Sequence, residues 1–165
     1  MEVLKIRPVM PSDACAVADI YRYYVENTTV TFDEEAPAEE DIRETITRIS
    51  QAWPYLVAEA DGVVVGYCYV HPWKEKIAYR TTLETTVYLR QGFTSHGVGR
   101  RLMEALMVEC KSKGNIHSLI ACITAENEGS RRFHSRLGFK EVSFFREVGY
   151  KFGRYLDVVD MELIL

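Results

Sequence analysis

The chain has 165 residues, 47% of them hydrophobic, with 24 acidic against 20 basic side chains and a formal charge of −4. That is enough apolar material for one domain over residues 1–165 with its own core, and the length asks for no second. Acidic and basic residues are interspersed, which argues against a nucleic-acid partner, and no apolar run is long enough to cross a bilayer.

The alternating start, Met1 to Arg7, lacks the apolar stretch of a secretion signal, and a cytoplasmic protein is expected. Leu4-Lys5-Ile6-Arg7 reads as a strand ended by Pro8 to Pro11. Ser12 or Asp13 can cap the next helix, on which Val17, Ile20, Tyr21 and Tyr24 share a face. Thr28 to Glu35 forms a polar, irregular loop. Pro37 suits the first turn of a second helix, Glu39, Glu40 and Asp41 sit at the positive end of its dipole, and Ile42, Ile46 and Ile49 mark its buried side. Tyr55 to Ala60 and Val63 to Val70 flank Asp61-Gly62, a two-residue turn that needs positive φ and predicts a hairpin. Pro72-Trp73-Lys74 interrupts, and Tyr79 to Leu89 resumes as a strand.

Between Gly92 and Gly99 the hydrophobic period changes. Val98, Leu102, Leu106 and Cys110 recur as on one helix face, and Gly114 suits the residue just past that helix. Gly97 and Gly99 leave no Cβ between a ligand and the backbone, and the first N–H groups of a helix have no intrahelical acceptor, so the turn can cradle an anion such as a pyrophosphate. It lacks the Gly-Lys-Ser/Thr ending of a Walker loop and the three glycines of a Rossmann fingerprint. An ordinary strand-to-helix turn is the alternative.

Leu119 to Ile123 suits a strand covered on both faces. Asn127 to Leu137 predicts a last helix with Phe133 and Leu137 on one face, and two strands follow around Lys151-Phe152-Gly153. The order β-α-α-β-β-β-α-β-α-β-β predicts a mixed sheet with helices on both faces. Cys15, Cys68, Cys110 and Cys122 fall inside apolar patterns without Cys-x-x-Cys spacing, which favours reduced core thiols over disulfides or a metal site. Glu84 lies in a segment of buried-strand character, a costly place for a carboxylate unless it is paired, for example with Arg80 or Lys74, or functional.

The segment Thr94-Ser95-His96-Gly97-Val98-Gly99 resembles the acetyl-CoA-binding motif of the GNAT superfamily of N-acetyltransferases. Four flanking segments are similar to its phosphinothricin / methionine sulfone (sulfoximine) acetyltransferase branch: Tyr79-Arg80-x-Thr82-x-Glu84-x-x-Val87-Tyr88, Asn127-x-x-Ser130, Leu137-Gly138-Phe139, and Gly149-x-Lys151-Phe152-Gly153-Arg154-x-Leu156-Asp157. The likeness runs from about residue 3 to the C-terminus. It implies an α/β (α+β) fold: a mixed, mostly antiparallel sheet of about seven strands flanked by about four helices, its fourth and fifth strands splayed around the cofactor.

The same resemblance implies acetyl-CoA as co-substrate, no metal, a small amino-acid-like acceptor and a homodimer. It casts Glu84 as general base and His134 as a proton donor to the departing thiolate, although a lone helix histidine can equally be a bystander. The backbones of Val87, Tyr88 and Leu89 would lie along the cofactor, Ser95, His96, Gly97, Val98, Gly99 and Arg100 around its pyrophosphate, and Asn127 and Ser130 beside its pantetheine arm. Tyr79 and Arg80 match the branch's acceptor-binding pair. Phe32, Trp73, Lys151 and Phe152 are expected to border the acceptor, against the simpler reading of hydrophobic lids and a solvated turn. Thr94 stands where the superfamily carries Arg or Gln, which shifts phosphate binding onto backbone amides. A GNAT enzyme for a protein N-terminus, lysine or polyamine, and a non-catalytic acyl-CoA sensor, are the rival readings.

Overall fold

The computed structural model describes residues 4–165, so Met1, Glu2 and Val3 of the alternating start lie outside the described residues. The elements are β1 (Leu4–Pro8), α1 (Ala14–Asn27), α2 (Glu39–Ser50), β2 (Tyr55–Ala60), β3 (Val63–Pro72), β4 (Thr82–Leu89), α3 (Val98–Ser112), β5 (Ser118–Thr124), α4 (Glu128–Arg136), β6 (Lys140–Lys151) and β7 (Arg154–Ile164). This is the expected succession. The strands form one seven-stranded sheet in the order β1-β2-β3-β4-β5-β7-β6, antiparallel except for the β4–β5 pair. The chain adopts the mixed GNAT fold.

Period-two alternation divides the sheet between two cores. Leu56, Ala58, Cys68, Val70, Leu119 and Val159 point to the side covered by α3, where Val98, Leu102, Leu106 and Cys110 form the buried stripe. Tyr55, Val57 and Tyr67 point the other way, against Val17 and Ile20 of α1 and Ile46 and Ile49 of α2. Asp61 (φ 48°) and Gly62 (φ 81°) make the two-residue hairpin turn that joins β2 to β3. Gly114 follows α3 at φ 72°, the left-handed position past a helix end.

Several local expectations are corrected. Asp13 does not cap α1: its carboxylate accepts from the Met10 N–H at 2.8 Å and takes both terminal nitrogens of Arg7 at 2.8 and 2.9 Å. Pro37 lies outside α2, whose entry is made by Ala38, with the Asp41 carboxylate accepting the Ala38 N–H at 3.1 Å. Tyr79 closes a short 3-10 turn, Ile77–Tyr79, and β4 begins only at Thr82. Of the four thiols, Cys68 and Cys110 are core, whereas Cys15 and Cys122 are exposed.

The placement furthest from expectation is that of Lys151, expected to border the acceptor, with a solvated turn as the alternative. It is 1% exposed, and its ammonium donates to the main-chain carbonyls of Val25 at 2.7 Å and Thr31 at 2.9 Å. Burial pulls its pKa down and the nearby carboxylates of Asp33 and Glu34 oppose that. The C-terminal hairpin is thereby tied to the end of α1 and the loop after it. Replacing the ammonium by a thioether of similar length leaves two carbonyls without their donor, at about 1–3 kcal/mol. Lys151→Met is therefore expected to lower the thermal midpoint by several degrees, at about 2–4 °C per kcal/mol for a chain of this size. Lys140→Met, at an exposed position, serves as the control and should leave it unchanged.

Candidate active site

The site begins where a ladder stops. β4 and β5 share only the register pairs Thr82↔Ser118, Leu83↔Leu119 and Glu84↔Ile120 before they part. On the other edge of β4, the Arg90 N–H donates to Val65 at 2.8 Å and the Trp73 N–H to Thr82 at 3.3 Å. Even-numbered residues of β4 thus turn their main-chain groups to β3 and odd-numbered ones to the gap. Val87 and Leu89 therefore border the gap with their backbones, and the Leu89 carbonyl accepts the Tyr24 hydroxyl at 2.6 Å. Tyr88 does not join them: its main chain is paired with Tyr67, and its ring packs among Tyr24, Tyr21 and Tyr67 with centroids 4.9, 5.2 and 5.7 Å away.

At the far end of the gap, Ser95 (φ 68°) and Gly97 (φ 76°) turn the chain into α3, and the first helical bond runs from the Arg101 N–H to the Gly97 carbonyl. The N–H groups of Val98, Gly99 and Arg100 precede that bond and have no partner within the helix. The two glycines play different parts. A Cβ at Gly97 would meet nothing within 4 Å, so its role is the left-handed φ; one at Gly99 would make ordinary contact with Leu89 at 3.4 Å and Phe133 at 3.5 Å, so neither space nor φ demands glycine there. Thr94, Ser95, Gly97 and Arg100 line the resulting cleft, whereas Val98 is in the core and His96 faces solvent outside it. Arg100 is paired with Glu104 at 2.7 Å, and Arg101 donates to the Leu4 carbonyl on β1.

The cleft occupies about 1090 Å³ and reaches from this turn past Asn127, Ser130 and His134 to Glu84 and Phe32. Asn127 caps α4, its side-chain oxygen accepting the Ser130 N–H at 3.1 Å, which leaves its NH₂ as donor. His134 is buried, with Nδ1 2.9 Å from the Ser130 carbonyl and edge-on to Phe133 and Phe139. A carbonyl only accepts, so the proton sits on Nδ1 and Nε2 carries the lone pair. Burial holds the imidazole below its ordinary pKa, opposed by the bond to Ser130.

Glu84 has neither Arg80 nor Lys74 as partner. Its neighbour across the ladder is His71, with Nε2 4.0 Å from the carboxylate. Burial pushes the Glu84 carboxyl above the usual range; His71 opposes the rise and Asp160 adds to it. Cys122 lines the same cleft; the residue as a whole is exposed, but desolvation of its thiol within the cleft pushes its pKa up to about 12, and Asp160 and Glu84 add to the rise. So little thiolate forms at neutral pH that Cys122 makes a poor nucleophile.

Of the residues expected at the acceptor, Phe32 lines the cleft and the others do not. Trp73 and Tyr79 pack edge to face at 5.3 Å, with Lys74 over the Trp73 ring and Arg80 donating to the Ile77 carbonyl, all outside it. Lys151 is enclosed as described, and Phe152 is exposed at the hairpin tip. The cleft also takes in groups that sequence reasoning missed: the rings of Tyr21, Tyr55, Tyr67 and Tyr69, and Arg132 and Arg136 of α4. The tyrosines had a signal in their spacing, Tyr67 and Tyr69 sharing a strand face and Tyr21 and Tyr24 a helix face.

Comparison with known proteins agrees with this geometry. Residues 6–159 match the family model described as an acetyltransferase (GNAT) domain. The phosphinothricin N-acetyltransferase of Streptomyces viridochromogenes is 36% identical over 155 residues, 94% of this chain and 84% of that protein. The L-methionine sulfoximine/L-methionine sulfone acetyltransferase of Salmonella typhimurium is 32% identical over 98% of this chain and 95% of its own length. Among solved structures, yncA of Salmonella typhimurium, an acetyltransferase with its cofactor acetyl-CoA, superposes with a TM-score of 0.95 at 31% identity, covering 99% of this chain and 94% of that one.

The buried, neutral His134 makes a pH dependence testable. Its native pKa lies below the unfolded value of about 6.5, so the unfolded chain binds the proton more tightly. Its contribution to stability is present above that value and lost as pH falls through the depressed one. An NMR titration of the ring nitrogens, read beside thermal midpoints over the same pH range, is expected to show protonation below about 6.5 together with falling stability. A midpoint at or above about 6.5 would contradict the neutral assignment.

Proposed function

The chain belongs to the GNAT acetyltransferase family, and from that premise we propose that it acetylates the α-amino group of a small amino-acid-like acceptor of the phosphinothricin, methionine sulfone or methionine sulfoximine class. The observation that carries this reading is one cleft that joins a split strand pair and a helix N-terminus to a half-buried carboxylate whose proton affinity is raised by that burial. Acetyl-CoA supplies an acetyl thioester: the nitrogen of an uncharged amine bonds to its carbonyl carbon, the C–S bond breaks, and coenzyme A leaves as a thiolate that takes up the proton the nitrogen sheds.

The residues present fit that co-substrate. The free N–H groups at the start of α3 suit a pyrophosphate, and the open φ of Gly97 leaves that approach clear. The main-chain edge at Val87 and Leu89 suits a chain of amides laid along it, with the Asn127 NH₂ as a further donor. The Leu89 carbonyl is already taken by Tyr24, so Val87 and the Leu89 N–H carry more of the contact. Arg132 and Arg136 add positive charge to the same cleft.

An amino group near neutral pH is mostly protonated and cannot attack. Glu84 accepts its proton, directly or through a water, a role worth about 10²- to 10⁴-fold. A carboxyl raised by burial is better matched to that task than one at its ordinary pKa. Cys122, held as a thiol, does not serve as an intermediate acyl carrier, which favours direct transfer within a ternary complex. His134, with its lone pair on Nε2, is suited to the cofactor wall and not to giving up a proton.

A homodimer is part of the same reading. β6 is an edge strand, and Val142, Phe144, Phe145 and Tyr150 on it are each about half exposed or more (54%, 50%, 47% and 55%), as is Tyr155 on β7 at 65%. A row of this kind on a sheet edge is a surface that a second copy would cover. Sedimentation equilibrium is expected to give twice the chain mass, and Phe144→Lys with Tyr155→Lys the mass of one chain.

Free-thiol release from acetyl-CoA tests the activity across methionine sulfone, methionine sulfoximine, phosphinothricin, the common amino acids, a polyamine and a short peptide. Saturable turnover is expected on the first three, and Glu84→Gln should cut kcat at least about tenfold with the KM for acetyl-CoA nearly unchanged. Turnover confined to the peptide or the polyamine would refute the acceptor class. An undiminished kcat would remove Glu84 from the mechanism.

A further inference from the structure

The C-terminal motif Gly149 to Asp157 supplies no group to the cleft, yet its side chains converge on the loop that does. β6 is bulged between Phe145 and Gly149: Glu147 takes φ 54°, and its N–H donates to the Asp157 carboxylate at 2.8 Å. The bulge sets Gly149 against the Phe32 ring so closely that a Cβ there would lie 2.4 Å from the ring tip and 2.8 Å from both flanking atoms. Two residues on, Lys151 donates to Val25 and Thr31, the second of these immediately before Phe32. Arg154 holds Glu126 through two bonds of 2.7 and 2.9 Å, and Glu126 in turn accepts the Thr29 hydroxyl. From the inner side, the Tyr21 hydroxyl meets Thr31 and Asp33. Phe32, the residue that lines the cleft, is thus fixed from both flanks of its own loop.

We propose that the terminal hairpin sets acceptor selectivity at a distance: Gly149 and Lys151 are positioning residues that fix the Phe32 ring, and through it the width of the acceptor end of the cleft. The inference rests on Phe32 being an acceptor wall, as read above. The ring abuts Gly149 at its tip and belongs to a residue that lines the cleft, so the absence of a side chain at 149 sets the room the ring has. A methyl group there drives it inward, and long acceptors lose more than short ones. Misplacement by about 1 Å at such a wall can cost up to about 10²-fold in rate.

The test is a double-mutant cycle of Gly149→Ala and Phe32→Leu, read as KM and kcat for methionine sulfone, phosphinothricin and alanine, and as KM for acetyl-CoA. Gly149→Ala is expected to raise KM for the two long acceptors about tenfold relative to alanine, to leave that for acetyl-CoA within about twofold, and to be rescued by Phe32→Leu in the same chain. A Gly149→Ala enzyme with unchanged acceptor preference, while Phe32→Leu alone changes it, overturns the inference and leaves the acceptor assignment standing. A Phe32→Leu enzyme with unchanged preference overturns both, at the level of the assignment. Should Gly149→Ala fail to fold, Arg154→Gln at the exposed end of the network is expected to shift the same preference about two- to threefold and to speed amide exchange over residues 28–33 but not over α3. Neither change appearing would refute the proposal.

Discussion

The rest of the structure depends on the parting of β4 from β5. A parallel pair that closes along its whole length leaves no free main chain; this one closes for three residues and then exposes the polar edge of Val87 and Leu89. Buried main-chain groups are costly when unpaired, so such an edge persists only where something else meets them. Tyr24 already does so at Leu89. The parting also carries β4 and β5 to opposite walls of one cleft, with the α3 turn at its end and Glu84, in the last register pair, at its root.

The two cores give the cleft two unlike sides. On the α3 side the packing is largely aliphatic, and Gly99 at the start of α3 lies near Leu89 of β4 and Phe133 of α4. On the α1 side the rings of Tyr21, Tyr24 and Tyr67 stand 4.9 to 5.7 Å from that of Tyr88 beside an aliphatic core, and the Tyr21 hydroxyl reaches Thr31 and Asp33 on the loop after α1. One side presents free helix N–H groups and arginines to the cleft, and the other presents aromatic faces. Glu84 stands at their border, where burial from one side and the charges of His71 and Asp160 from the other set its proton affinity.

What could be read from the sequence was local or periodic. The Asp61-Gly62 turn, the fourfold spacing of Val98, Leu102, Leu106 and Cys110, and the run from Leu119 to Ile123 each carry their structure within a few residues, and the element order follows. The start of β4 was misplaced because Tyr79 and Arg80 have strand-like chemistry, while their backbone is set by a turn packed on Trp73. Gly97 and Gly99 look alike in sequence, yet only Gly97 takes the left-handed φ that favours glycine. Lys151 was the hardest to read. Its partners are carbonyls 126 and 120 residues away, and main-chain acceptors leave no trace in side-chain pattern. Arg132 and Arg136 were equally silent, because a charged helix face is ordinary until its neighbour is known.

The tie between Lys151 and the loop after α1 has a consequence for the order in which the protein is made. The loop bearing Phe32 leaves the ribosome early, together with the helix it follows, but the donor that fixes its carbonyls arrives more than a hundred residues later. The α3 turn, by contrast, is bounded by Leu89 and Phe133, both made before the last hairpin. During synthesis the α3 turn can therefore take shape ahead of the wall that Phe32 forms at the other end of the cleft.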